Sequence, residues 1–280
     1  MERAGTEAVS GKYPESALNP LLAAFKMDTM CTLVILRRPS NPWPLLLAGN
    51  RDEMAGRPSL PPGRHWEDRP EVIAGLDQLA GGSWLGVNDD GVAAVVMNRE
   101  GTLGPAPGKR SRGELVLEAL DHAEAAEAAQ ALAHLDPGAY RPFNLFVGDP
   151  LSAFWIRHRG RHGVGIEVHE VPEGLHMLSA GELDDLTRPR LRRYLPRFRA
   201  APVPSPEAGD WAGWTSLLGA TGHDGDNEPT GAMTFTLDNG FGTRSSHLLG
   251  LPRYPSQSEP PVFLYADGMP GHAPFLQVDA

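Results

Sequence analysis

Cysteine is almost absent: Cys31 is the single one among 280 residues. That excludes an intrachain disulfide and any zinc or iron–sulfur site built on several thiolates. A lone thiol fits a reducing compartment, so a cytoplasmic location is expected. No stretch approaches the ~18 consecutive apolar residues of a membrane span. The first thirty residues do not read as a secretory signal, because Glu2 and Glu7 stand where a basic opening is expected and the apolar piece at 21–25 is too short. Positive charge is in deficit. Lys and Arg number 25 against 35 Asp and Glu, a formal net charge of −10, and a folded acidic surface repels phosphate backbones. Nucleic acid is therefore not expected as a partner.

What remains is ordinary globular text, 41% hydrophobic and 21% charged, long enough to remove roughly 75% of its unfolded surface from water. With 32 glycines and 27 prolines the chain is rich in turns, which favours a β-rich fold with short connections. Residues 1–30 are polar, interrupted and weakly periodic. They read as an extension, either a mis-called start or a disordered leader, ahead of one domain at 31–280.

Strand text begins at 31–36, with a hairpin partner at 44–48 that is expected to end at Gly49-Asn50-Arg51-Asp52-Glu53. A second hairpin joins 83–87 to 92–97 through Asp89-Asp90-Gly91, since Gly accepts the positive φ of a tight turn. Ser111 and Glu114 have the spacing of a capping box, opening one Ala-rich helix that runs to Asp136-Pro137. Further strands are expected at 143–147, 153–158, 164–171, 175–178, 245–249 and 262–266. A second helix should start near Pro189, which suits a first turn, and a short one at 211–218. The layout is α+β: stacked antiparallel sheets with helices packed outside.

The chemistry-bearing feature is Met30-Cys31-Thr32 at the mouth of the first strand. If the chain starts or is cut there, Cys31 becomes residue one, and its thiol and α-amine lie on the same residue. An amine titrating near ~7.7–8.0 can take a proton from a thiol near ~8.5, giving nucleophile and base together. The alternative is a small buried hydrophobe.

Met30-Cys31-Thr32, Asn50-Arg51-Asp52-Glu53, Gly81 to Gly86, Val96-Met97-Asn98-Arg99, Ser111 to Glu114, His176 to Ser179 with Leu183-Asp184, and Gly242 to Ser246 occur in this order. Together they resemble the NRDE family, which includes transport and Golgi organization protein homologues and looks like a branch of the N-terminal nucleophile (Ntn) hydrolases of the cysteine amidase type. The resemblance implies a four-layer αββα sandwich of two antiparallel sheets. It implies Cys31 as nucleophile and, through its amine, base, Asp52 as the carboxylate positioning amine and thiol, Asn98 as an oxyanion-hole amide, and Arg244 as the arginine orienting the cysteine. Asn50, Arg51, Trp84 and Arg99 would line a small-molecule site, although Asp52 also suits a turn, Arg51 with Glu53 a solvated pair and Trp84 a packing position. Two departures stand out: Ala180 occupies the place of a usual Asn after Ser179, and Gly49 that of the amidase arginine.

Two functions follow. One is a hydrolase of a non-peptide amide working through a Cys31 thioester, with no cofactor and no metal. The other is a carrier of haem or lipid, with His176, His247 or Met177 touching haem iron reversibly, as no Cys-x-x-Cys-His attachment string exists. The arginines from Arg188 to Arg199 read as a solvated helix face. His223 to Glu228 resembles a metal loop in composition but lacks the spacing of a calcium loop.

Overall fold

Along β1 (Thr32–Arg37) the apolar side chains go alternately to two places, and that alternation builds the layers. Leu33 and Ile35 face a second sheet, while Val34 and Leu36 face helices. The computed structural model describes residues 31–161, 163–223, 229–253 and 260–279. The extension at 1–30, including Met30, and Asp224 to Glu228 of the suspected metal loop lie outside the described residues.

Among the described residues twelve further strands follow: β2 (Leu45–Met54), β3 (Ser59–Gly63), β4 (Val72–Asp77), β5 (Leu85–Asn88), β6 (Ala93–Asn98), β7 (Phe143–Gly148), β8 (Ala153–His158), β9 (Glu167–Glu170), β10 (Gly174–Leu178), β11 (Phe241–Leu251), β12 (Val262–Ala266) and β13 (Leu276–Gln277). Four α-helices are described: α1 (Gly113–Leu120), α2 (Ala125–Leu132), α3 (Pro189–Ala200) and α4 (Ala212–Leu218). One sheet runs β10-β1-β2-β11-β12-β13; the other is a meander from β3 to β9 in chain order. Every strand pair is antiparallel.

Three apolar clusters bind the layers. Leu33, Leu47 and Leu249 meet Val95, Phe146 and Trp155 between the sheets. Leu115, Leu120 and Ala128 of α1 and α2 cover the meander. Leu191, Tyr194 and Phe198 of α3, with Trp214 of α4, cover the other sheet. Each fully buried side chain of this size contributes about 1.5–3 kcal/mol. The order helix, sheet, sheet, helix is the four-layer sandwich expected. No helix among the described residues is long and apolar enough to cross a membrane.

Local expectations fare unevenly. The Asp89-Asp90-Gly91 turn joins β5 to β6 with Gly91 at φ 86°, and Pro189 occupies the first turn of α3. The Ala-rich helix is broken in two, because side chains from the meander take its ends. Asn88 donates to the carbonyls of Leu120 and His122 at 3.0 and 2.8 Å, and Asp149 accepts the amide of Ala125 at 2.7 Å.

The capping box forms only in part. Ser111 Oγ accepts from the amide of Gly113 at 3.2 Å, but Glu114 pairs with Arg110 at 2.7 Å instead of reaching back. The largest correction concerns β2. The Asn50-Arg51-Asp52-Glu53 string does not end it but lies wholly inside it, since β11 pairs with it as far as Met54.

Candidate active site

Cys31 stands immediately before β1. Thr32 pairs with Asn50, so Cys31 is level with Arg51, and Arg51 in turn pairs with Ser245 on β11. The Cys31 side chain packs against the inter-sheet core, half-buried. Its Sγ donates weakly to the main-chain oxygen of Asp52 at 3.7 Å, and its own carbonyl accepts from Ser179 Oγ at 3.0 Å. Burial pushes the thiol up to about 11, reinforced by the Asp52 charge and opposed by the Asp52 carbonyl contact and Arg51. At neutral pH this sulfur is a thiol, and it becomes a nucleophile only if a neighbouring base takes its proton.

Alternation sends Arg51 to the same inter-sheet side. Its guanidinium lies 4.2 Å from the Trp84 ring centroid, with longer contacts to Ser59 Oγ at 3.4 Å and Glu53 at 3.9 Å. Two of the expected binding residues, Arg51 and Trp84, therefore form one stacked unit beside the cysteine, an arrangement that strengthens as water is excluded.

Asp52 and Asn50 go to the opposite face, beneath α3. The Asp52 carboxylate accepts from Arg190 Nη1 at 2.9 Å and from Thr243 Oγ1 at 2.8 Å. The pair is sealed, with the Arg190 side chain 3% and that of Asp52 0% exposed. Arg190 Nη1 also donates to Thr32 Oγ1 at 2.8 Å and Nη2 to the Thr230 carbonyl at 3.1 Å. The first residue of β1, the Asn-Arg-Asp-Glu strand and α3 are thus tied at one guanidinium, and β11 joins them through the Asp52 carboxylate. Sequence reading placed Arg190 among solvated arginines. That holds for Arg192, Arg197 and Arg199, which are exposed, but not for Arg190. The helical period carried the signal: Arg190 sits four residues before Tyr194 and eight before Phe198, on the apolar face.

The other expected residues have structural partners. Asn50 donates to the Leu218 and Met233 carbonyls at 3.0 and 2.8 Å and accepts from Ser246 Oγ at 2.7 Å, which fills its amide. Arg99 holds Asn144 Oδ1, the Gly181 carbonyl and Glu182. Asn144 in turn donates to the Ser179 and Gly181 carbonyls, fixing the turn that carries Ala180.

Asn98 continues the row of Ala94 and Val96, whose neighbours are α1 and α2, whereas Val95 and Met97 face the other sheet. Its side chain is thereby directed away from the Cys31 layer. Arg244 donates to the Glu53 and Gly240 carbonyls at 3.2 and 2.6 Å. It is the extra residue where the β2–β11 register slips between Thr243 and Ser245. That bulge turns Thr243 toward Asp52 and Ser245 toward Arg51, two faces that regular alternation would not give to residues two apart.

The suggested haem ligands do not converge. Met177 is buried against α3, and His176 is held by Asp184 at 2.8 Å. His247 lies on β11, three strands from β10, a separation of roughly 14 Å at ordinary strand spacing. Among the described residues no group of three or more His, Cys, Asp or Glu could hold a metal ion.

A sequence profile of the family described as Transport and Golgi organisation 2 matches residues 30–202. Relatives include the Transport and Golgi organization 2 homolog of Mus musculus, 35% identical over 118 residues, which are 39% of this chain and 40% of that one. The homolog of Bos taurus is 37% identical over 122 residues, 40% and 41% of the two chains. The chain spans about two fifths of the length of these relatives. Among solved structures, a Caenorhabditis elegans N-acylethanolamine-hydrolyzing acid amidase ortholog is similar at 13% identity, TM-score 0.45, covering 81% of this chain and 95% of that one. A mutant conjugated bile acid hydrolase from Clostridium perfringens is similar at 12% identity, TM-score 0.49, covering 89% and 92%.

Proposed function

The chain belongs to the Transport and Golgi organisation 2 family, and we propose that it acts as a cysteine-dependent hydrolase of a non-peptide amide. The observation that carries this reading is the placing of Cys31: its thiol lies at the start of β1, against the Asp52 main chain and level with Arg51. Asp52 is itself locked by Arg190 and Thr243, so the backbone that receives the thiol is held from the far face of the sheet.

With Cys31 as the terminal residue, its α-amine titrates near ~7.7–8.0 and takes the thiol proton. The thiolate then adds to the amide carbon, forming a C–S bond while the carbonyl electron pair moves onto oxygen. Collapse breaks the C–N bond, and the departing amine leaves with the proton held by the α-amine. Water, deprotonated by the same amine, hydrolyses the thioester and returns the thiol. The roles of the neighbours follow from their chemistry: Arg51 on Trp84 orients the substrate, and Asp52 with Arg190 keeps the strand ends in register. While a peptide bond precedes Cys31, its nitrogen is an amide and this cycle is switched off.

The test combines the intact mass and N-terminal sequence of the purified chain with turnover of a panel of N-acyl chromogenic amides. Acyl transfer should appear on Cys31 by mass and vanish in Cys31→Ala. Undiminished turnover in that variant would remove the proposal.

A further inference from the structure

Asn98 faces the outer helices and Ala180 has no amide side chain, so the inter-sheet face must supply another donor if Cys31 is to form a tetrahedral intermediate. His247 occupies the position to do so. Leu33 of β1, Gly49 of β2, His247 of β11 and Tyr265 of β12 form one row across the sheet. Leu33, Leu249 and Tyr265 belong to the inter-sheet core, which fixes the side to which His247 points. Cys31 lies on that same side, two residues before Leu33 along the strand direction.

The imidazole leans across β2. A Cβ built on Gly49 would stand 2.5 Å from His247 Cε1 and 2.8 Å from Nε2, so only the missing side chain of Gly49 leaves room for the ring. Gly49 and Cys31 are diagonal neighbours, roughly 7–8 Å apart at the backbone, and the ring lies at the Gly49 end of that gap. His247 is 3% exposed, and its Nε2 has no hydrogen-bond partner among the described residues. A buried polar atom of this kind is normally satisfied, by water or by ligand. Burial lowers the ring to about 3, so at neutral pH it is an uncharged imidazole, which can donate a hydrogen bond without titrating.

We propose that His247 donates Nε2–H to the carbonyl oxygen of the substrate attacked by Cys31, taking the part that Asn98 would have played. The proposal rests on the hydrolase reading above. In the step concerned, the C–S bond forms, the carbonyl π pair moves to oxygen, and that oxyanion accepts the His247 hydrogen bond. Collapse expels the leaving group. No proton leaves the imidazole.

Acylation and alkylation separate the roles. An activated ester, p-nitrophenyl acetate, passes through an oxyanion and releases p-nitrophenolate as Cys31 is acetylated. Iodoacetamide displaces iodide at a saturated carbon and forms none. On protein whose N-terminal sequence begins at Cys31, His247→Phe should lower the acetylation rate about 10²–10³-fold and leave alkylation of Cys31 within about threefold. His247→Gln, which keeps a neutral N–H donor near the same place, should restore at least about a tenfold part of the loss.

Equal acetylation by His247→Phe and the unaltered chain would overturn the assignment, as would a parallel loss of both reactions in His247→Gln. Acetylation that persists in Cys31→Ala would instead defeat the hydrolase reading itself, and this proposal with it.

Discussion

Replacing Arg190 by methionine keeps the hydrocarbon stem beneath α3 and deletes the only charge partner of the buried Asp52 carboxylate among the described residues. Breaking a buried pair from one side costs about 3–5 kcal/mol, because the surviving charge is left without compensation. The hydrogen bonds to Thr32 and Thr230 are lost with it, but they belong to the same guanidinium and do not add in full. Against a typical total of about 5–15 kcal/mol this is a large fraction. At about 2–4 °C per kcal/mol for a chain of this size, it corresponds to a fall in melting temperature on the order of 10 °C.

Urea unfolding and thermal melts of Arg190→Met should show that loss. Arg192→Met, on the exposed side of the same helix, should stay within about 0.5 kcal/mol. The decisive comparison is Arg190→Met combined with Asp52→Asn. Asparagine keeps an acceptor for Thr243 and removes the stranded charge, so the double variant should recover more than about 1 kcal/mol over Arg190→Met. A single variant that loses less than about 1 kcal/mol, or a double variant less stable than the single, would show that the pair is not the tie described.

Two pH dependences follow from the buried groups. In a chain whose Cys31 nitrogen is an amide, iodoacetamide labelling should climb about tenfold per pH unit from neutrality toward pH 11, following the raised thiol; a plateau below pH 9 would contradict the burial argument. His247, held neutral down to about pH 3, binds fewer protons folded than unfolded below its ordinary value of about 6.5. Unfolding free energy must therefore fall as pH drops through the window from about 6.5 to about 3. Urea midpoints at pH 7, 5 and 4 should decline more steeply in the unaltered chain than in His247→Phe, and matching slopes would refute this.

Features set by neighbours along the chain were legible. The β-branched run after Cys31, the Asp89-Asp90-Gly91 turn and Pro189 at the head of α3 all fell where local preference put them. The strand through Asn50-Arg51-Asp52-Glu53 was not legible, because four polar residues signal a strand's end unless partners far along the chain accept them. Those partners are Ser246, Thr243 and Arg190. The break between α1 and α2 is likewise written in Asn88 and Asp149, which lie outside the helical text. Arg190 was readable from its spacing to Tyr194 and Phe198, but a row of arginines hid it. His247 was singled out only as a haem contact; its place on the Cys31 side depends on Gly49 being its neighbour, and that is a fact of strand register. Asn98 shows the opposite hazard, a motif residue whose face is decided by alternation from the strand before it.

The extra residue at Arg244 ties two halves of the molecule to a single point of wiring. Thr243 and Ser246 serve the side beneath α3, while Ser245 and His247 serve the side between the sheets. Were the kink flattened with every residue retained, the odd and even members beyond it would trade sides, taking the imidazole away from the sulfur and stripping Asn50 of its hydroxyl partner in the same movement. Arg244, roped to Glu53 and Gly240, is the peg that prevents that exchange.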